Sequence, residues 1–525
     1  MKGFLKFFTL LLLPAAFVLT SCDKDDENPP VTDVTVTGTV SDDTGKAIEG
    51  ATVTGQTSAA TATTAADGTY TLSAAASEKL LFEKEGYASA EATLTAAVSQ
   101  TVDATLDRGP AVLFAESFDE TGNTVTDPSF SGNSIVPTAD LGAGSTEPAN
   151  FFMNVDYKGA VDPNGTPWYA EWTFYEDILN GASSDALTLG TLEEWTDAMM
   201  QAAGNDVFWT NDKTYVLNGF VYVGDGQTLH IEEGTIIQGK PGEAAAASAL
   251  IIARGGKIMA EGSKENPIIF TYEGDTGGSA ATLRGQWGGL IILGKAGLNS
   301  TPGETSIEGL PDDPRAFYGG NDDDDNSGVL RYVSIRHGGT NIGADNEING
   351  LSLGGVGRGT TIEYVEIVAN KDDGIEWFGG TVDAKYLASV FCADDALDYD
   401  EGYRGRNQFV IVHQDPTEGG ADRGGEHDGG TDPENGTPYA TPVFFNVTSI
   451  GNSGSRAITF RDNAGGEYHN SIFVGYDKGI DIEDLLGQDE DSYKQWQDGN
   501  LKIMNNVFFN IGAGDRAEDI FKITN

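Results

Sequence analysis

Five four-residue segments punctuate the second half of this 525-residue chain: GLSL at 350–353, GIEW at 374–377, ALDY at 396–399, AITF at 457–460 and GIDI at 479–482. Their starts are separated by 24, 22, 61 and 22 residues. A second row runs between them: YVSI 332–335, YVEI 364–367, FVIV 409–412, FFNV 444–447, NSIF 470–473 and NNVF 505–508. Short strands at this period, with glycines between them and almost no helical periodicity, predict a parallel β-helix. Leucine-rich repeats share the period but need a leucine consensus that is absent here. Antiparallel barrels need paired hairpin signals, which are sparse. The 61-residue step fits two coils plus an insertion, and the Gly- and Asp-rich stretch 413–440 supplies the insertion. Upstream, GQTLHIEEGTIIQG, SALIIARGGKIMAEG and GQWGGLIILG read as earlier turns of the same coil. The β-helix is assigned to 206–525, with some 12 coils and a length of about 60 Å at one strand spacing per coil.

Ahead of it, residues 34–107 alternate apolar and polar positions between turn signals such as Asp67-Gly68, as a small β-sandwich does. Gly38, Val40, Gly45, Gly50-Ala51, Asp67-Gly68-Thr69-Tyr70 and Gly86-Tyr87 resemble the carboxypeptidase regulatory-like domain, a transthyretin-like sandwich. That resemblance implies a non-catalytic spacer or docking module. Residues 108–205 read as an irregular linker or cap, with one helix predicted over 191–203, capped by Thr191 with Glu194 three residues on. The stretch 206–525 resembles right-handed β-helix proteins of the pectin-lyase-like class. TYVLNGFVYVGDGQTLHIEEGTIIQG and WGGLIILGKA resemble β-helix surface proteins of Bacteroidota. The expected fold class is all-β: a small transthyretin-like β-sandwich followed by a right-handed parallel β-helix.

The first 22 residues read as a targeting segment, with Lys2 and Lys6, an apolar run from Phe7 to Leu19, then LTSC. This resembles the bacterial lipoprotein signal, which implies lipid on Cys22 as the mature N-terminus. Residues 23–33 begin DKDDENPP, an extended hydrated tether. It resembles the acidic signal that sends Bacteroidota lipoproteins to the outer face of the outer membrane. The expected membrane contact is that lipid alone.

Charge narrows the partners. With 81 acidic against 31 basic side chains, formally −50, the chain lacks the positive footprint that nucleic-acid binding needs. An anionic polymer or lipid would require a bridging cation. Phosphate loops and dinucleotide fingerprints are absent. Of the two cysteines, Cys22 belongs to the leader and Cys392 is expected to be a buried thiol.

The strongest candidate site comes from comparing DDGIEWFGG, 372–380, with DDALDYDEG, 394–402. Alternation along a strand puts Ile375, Trp377, Leu397 and Tyr399 inside, and Glu376 and Asp398 outside. One coil apart, Glu376 stands over Asp398 at about 4.8 Å, with Asp372 and Asp373 near Asp394 and Asp395 in the preceding turn. Two carboxylates at that distance repel by roughly 3–4 kcal/mol at an effective dielectric of 20. Three arrangements meet that cost: a protonated member, a cation such as calcium held by the six acids, or a solvated acidic face.

Other candidates are less constrained. In NDDDDNSG, 321–328, Asp323, Asp325 and Ser327 match the first half of a calcium loop whose closing Glu is replaced by Ser334. Glu426, His427 and Asp428 fall in the insertion, where a loop folded back over the acids would bring a metal or acid–base group. Arg404, Arg406, Lys371 and Lys385 are the bases nearest the acidic repeats in sequence. The pectin-lyase-like resemblance implies an Arg or Lys base beside calcium, although no lyase motif matches residue by residue. The functional readings left open are a calcium-assisted face that binds extracellular carbohydrate, a polysaccharide lyase or glycosidase, and a structural surface protein or importer accessory that contacts another surface protein.

Overall fold

A computed structural model describes residues 33–42, 46–84, 89–95, 98–106, 113–114, 151–153, 155, 157–307, 310–343, 346–417, 421–430, 433–485 and 490–524. The leader, Cys22 and the tether lie outside the described residues. The chain divides into two compact units, 1–109 and 110–525.

The first unit packs two small sheets. One holds Asp33–Asp42 between Thr69–Ala75 on one side and Gln100–Thr101 and Ala104–Leu106 on the other; the second orders Thr61–Thr63, Thr52–Gly55, Lys79–Glu83 and Ala90–Thr93. Alternate residues of each strand point inward, so Val36, Val40, Val53, Leu72, Leu80 and Phe82 form one core.

In the second unit successive coils stack parallel strands into two long sheets, one of seventeen strands, to which several coils give two and one strand, Leu113–Phe114, pairs antiparallel, and one of ten. The ten-stranded sheet runs Phe220–Val223, Ala249–Ile252, Leu290–Leu293, Leu351–Gly354, Ile375–Phe378, Leu397–Asp400, Glu426–Asp428, Arg456–Arg461, Lys478–Glu483 and Phe521–Thr524. The five repeat segments all lie in it. Ten strands make a stack of about 45 Å, shorter than twelve coils. The difference is chain spent outside the stack, chiefly the excursion between Leu293 and Gly328.

The seventeen-stranded sheet turns a corner at one residue per coil. Tyr332, Tyr364, Tyr386, Phe409, Asn446, Asn470 and Asn505 all adopt φ between 48° and 60°. This left-handed conformation is costly for a non-glycine residue, and Asn tolerates it best. In the aromatic coils, ring stacking offsets the cost: Tyr332–Tyr364 centroids are 4.5 Å apart and Tyr364–Tyr386 4.3 Å, both within 7° of parallel. Register places Phe409 against Asn446, so FFNV joins the row two residues later than its aromatic start suggests.

Residues 157–187 strap the outside of this sheet. Glu366, fully buried, accepts the Phe174 and Tyr175 amides at 2.8 and 3.2 Å, which fixes the start of the short helix Phe174–Leu179. Lys158 donates to the backbone and side-chain oxygens of Asn505 at 2.8 and 2.7 Å; burial pushes its amine down to about 8.

The predicted helix over 191–203 needs correction. Thr191–Trp195 is a strand, paired in parallel with Lys213–Leu217, and only Asp197–Ala202 is helical, capped by Thr196. Glu193 and Glu194 point outward to Lys213 and Lys240, and Trp195 packs on Trp209 at 5.5 Å. Ladder pairing outweighs the capping-box pattern.

Candidate functional site: an acidic trough on the ten-stranded sheet

The register of the ten-stranded sheet sets the site. Ser352 pairs with Glu376, Glu376 with Asp398, Asp398 with Glu426 and Glu426 with Thr459. These side chains form one outward row. The intervening residues Leu353, Trp377, Tyr399, His427 and Phe460 form the inward row and are buried. Trp377 stacks on Tyr403 at 5.2 Å and Tyr399 on His427 at 4.1 Å, as core residues. The glycine that opens GIEW has a packing reason: a Cβ on Gly374 would lie 1.9 Å from Ser389 Oγ of the facing sheet.

The row lies on the floor of a trough. One wall is the excursion after Leu293. Its hairpin, Glu304–Ser306 with Phe317–Gly319, lays Tyr318 against Phe378 at 6.0 Å, and the Tyr318 hydroxyl donates to Glu401 at 2.8 Å. The other wall is the row of turns that precede the strands, carrying Asp372, Asp373, Asp394, Asp395, Asp422 and Arg423. Asp373 accepts the Asp395 amide at 2.9 Å, which links successive turns.

The carboxylates converge. Asp373, Glu376 and Asp398 each offer one oxygen within 4.8 Å of the other two; so do Asp372, Asp373 and Asp394, and Asp394, Asp395 and Asp422. Asp373 and Asp394 join these groups into one chain of acids. Burial, then the neighbouring carboxylates, pushes Asp373, Glu376 and Asp398 well above the usual carboxylate range. Asp395 rises for the same reasons, although Arg423 lies 3.3 Å away. Burial and Asp394 raise Asp372 to about 7. Burial raises Glu401 to about 7 as well.

Neutral oxygens border the same spot. Asn349 donates its amide to Glu376, while its own Oδ1 has no hydrogen-bond partner among the described residues. Ser352 Oγ, in a residue 1% exposed, and Asp398 Oδ1 are likewise unpartnered. Unmet buried oxygens are costly. Calcium takes oxygen ligands at 2.3–2.6 Å, so two ligands across one ion lie about 5 Å apart. Asp373, Glu376 and Asp398, with Ser352 and Asn349 beside them, fit that donor set and that span.

Toward the last coils arginines enter among the acids. Arg423 and Arg461 approach Glu426 at 3.0 and 2.9 Å, and Arg461 also pairs with Asp428 at 2.7 Å. A further acidic group, Glu434, Asp462 and Glu483, converges within 4.8 Å. Sequence reasoning missed it because its members come from three separate segments with no shared spacing.

The remaining candidates fall elsewhere. Asp323 binds Arg404 at 2.6 Å and the Gly297 amide at 3.1 Å, whereas Asp325 is buried and accepts the Ser327 hydroxyl at 3.1 Å. In that segment Asp323 and Asp325 are each engaged by protein partners. Arg404 clamps this turn and donates to the Gly297 and Gly402 carbonyls. Arg406 belongs to the other sheet, where it pairs with Asp383 at 2.5 Å. Lys385 is on that sheet too, over the Phe151 ring, and Lys371 pairs with Glu347 at 2.9 Å. Among the described contacts both arginines are engaged away from Asp373, Glu376 and Asp398. Glu426–Asp428 is no returning loop but the missing rung between ALDY and AITF. His427 is fully buried, its Nε2 2.7 Å from the Tyr468 hydroxyl, and burial pushes it down to about 3; it is a core residue. Cys392 is buried, as its sequence context implies.

Two families account for the described architecture. The carboxypeptidase regulatory-like domain family matches residues 35–107, and the pectate-lyase-like beta helix domain family matches residues 201–524. No curated protein matches the chain. A polysaccharide-related role follows from the second match at the level of the fold. The chain belongs to the pectate-lyase-like β-helix family and carries a carboxypeptidase regulatory-like domain ahead of its β-helix.

Proposed function

We propose that the acidic trough is a calcium-assisted binding site for an extracellular polysaccharide, on a protein held to the outer membrane by lipid on Cys22 and exposed at the cell surface. The observation that carries this reading is the convergence of Asp373, Glu376 and Asp398 within 4.8 Å beside the unpartnered oxygens of Ser352 and Asn349. Bound calcium would neutralise the trough and offer open coordination positions to sugar hydroxyls or carboxylates. Glu376, Asp398 and Asp373 would be its charged ligands, with Asp372, Asp394 and Asp395 extending the negative field. The family's polysaccharide-related fold and the length of the trough support an extended ligand. The leader motif supports the anchor, and no helix among the described residues is long and apolar enough to cross a membrane.

A second reading has its own support. Glu376 and Asp398 each offer an oxygen within 4.8 Å of the other, a separation close to that of a retaining glycosidase pair, and burial raises both above the usual range, which suits either one as the general acid while the other would have to ionise. Retention on a polysaccharide panel, with calcium and with chelator, tests both. Binding that needs calcium, is lost in Glu376→Gln and Asp398→Asn, and leaves the polymer intact supports the binding site. Cleavage lost in the same variants supports the enzyme. Retention unchanged by both substitutions and by chelator removes the trough from either role and leaves a structural protein or an accessory to another surface protein.

A further inference from the structure

A second feature lies on the other sheet, toward the opposite end of the stack from Arg423 and Arg461. In register, Phe208 pairs with His230 and His230 with Met259. Phe208 is the first rung of this row. Its ring stacks on the His230 imidazole at 4.6 Å and 9° from parallel, and His230 Nε2 is fixed 3.1 Å from Asp206. Yet Phe208 is 65% exposed, because among the described residues nothing stacks on it as it stacks on His230. An aromatic ring placed this way in water is costly unless something covers it.

A groove of about 390 Å³ opens beside this row, bordered by Phe208, Thr210, His230, Glu232, Met259 and Glu261. That volume lies in the range of small-ligand sites. One side is an aromatic and thioether shelf. The other, two residues further along each strand, is Thr210, Glu232 and Glu261. Glu232 already accepts the Asn211 amide at 3.0 Å and Glu261 meets Arg331 at 3.3 Å, so each carboxylate keeps acceptor capacity toward the groove.

We infer that this groove is a carbohydrate subsite for a neutral pyranose, whose C–H face covers Phe208 while its hydroxyls donate to Glu232 and Glu261. Flat aromatic surface suits the apolar face of a sugar ring. Carboxylates make strong, charge-assisted bonds with hydroxyl donors and repel uronate or sulfate groups. The two carboxylates therefore exclude an anionic residue, and a neutral pyranose meets the groove with an apolar face for the ring and hydroxyl donors for the acids. The subsite deepens the polysaccharide reading and rests on it, but it needs neither calcium nor the trough.

Saturation-transfer NMR on the whole protein tests it, with cellohexaose and mannohexaose as neutral probes, hexagalacturonate as the anionic probe and chitohexaosamine as the cationic one. The expected result is transfer to a neutral probe that is insensitive to chelator, unchanged in Glu376→Gln, and weakened roughly tenfold in Phe208→Ala. Phe208→Tyr, which keeps the ring, should bind as the parent does. Phe208 is exposed, so its truncation leaves the core untouched. No transfer to either neutral probe, transfer only to a charged probe, or equal binding by Phe208→Ala would overturn the inference. A trough with no polysaccharide role shows itself separately, as polymer retention that Glu376→Gln leaves unchanged while Phe208→Ala reduces it.

Discussion

At the trough, single carboxyl groups oppose the fold. Two charges 4.8 Å apart repel by about 3 kcal/mol at an effective dielectric of 20, and Glu376 and Asp398 have this relation in the most enclosed part of the site. Replacing one by its amide removes the repulsion and keeps the shape. Asp398→Asn should therefore raise the melting temperature in chelator by a few degrees and shrink the stabilisation that calcium gives, both read by calorimetry. The pH dependence has a definite sign. In the unfolded chain these carboxyls lose their protons near pH 4, whereas Asp372 and Glu401 in the folded chain hold theirs to about 7. The folded state binds more protons between those limits. Stability from this source is complete below about pH 4 and is lost as pH rises to 7. In chelator the parent should lose stability across that window more steeply than Asp398→Asn, and the difference isolates the trough from groups such as His427 that act in the opposite sense. His427→Ala should cost about 3 kcal/mol by leaving a cavity among stacked rings, measured by denaturant unfolding. A catalytic histidine would instead show lost activity at unchanged stability.

At the scale of elements, the same residues show what a sequence can and cannot display. The pairing of Glu376 with Asp398 was legible because strand period and coil period are both short and local, and because Gly-Ile-Glu-Trp and Ala-Leu-Asp-Tyr align without insertion. The rung Glu426–Asp428 was not legible. Its inward residue is His427, and a histidine between two acids gives no apolar signal, although the neutral ring fills the core as Tyr399 and Phe460 do. The strand Thr191–Trp195 was read as helix because a capping box is a local pattern, whereas pairing with Lys213–Leu217 is not. The trough walls were invisible for the same reason, since an excursion closes over a sheet face through contacts far apart in sequence. Two substitutions test the elements that sequence left unmarked. Tyr364, at φ 55° between two stacked rings, should lose about 1–2 kcal/mol on change to Asn, which tolerates the bend, and about 1 kcal/mol more on change to Val, whose branched Cβ does not. Glu366→Ala removes the acceptor for the strap amides and leaves Arg336, 3.6 Å away, without its carboxylate. A loss of about 3–5 kcal/mol is expected, with new protease cleavage inside 157–187.

Across the whole molecule, a formal charge of −50 invites the view that any cation would stabilise it by screening. The trough gives a way to separate screening from binding. At 0.1 M salt the screening length is about 10 Å, and charges exposed on the surface are relieved by sodium and calcium in proportion to ionic strength. Carboxylates converging within 4.8 Å under the Tyr318 hairpin are not relieved in that way, because monovalent salt does not enter their coordination geometry. A bound ion stabilises by mass action, about 2.7 kcal/mol at a hundred times its dissociation constant. The two compact units supply the internal control. The carboxypeptidase regulatory-like unit has no convergent acidic triad among its described residues, while the β-helix unit has four. Calorimetry with calcium chloride, and with sodium chloride at matched ionic strength, should show one transition that rises with calcium alone and another that does not distinguish the salts. The calcium-specific transition should belong to the β-helix and lose its response in Asp373→Asn combined with Asp398→Asn. Equal shifts from both salts, or a calcium response that survives the double substitution, would assign the acids to a solvated face and leave the trough without its ion.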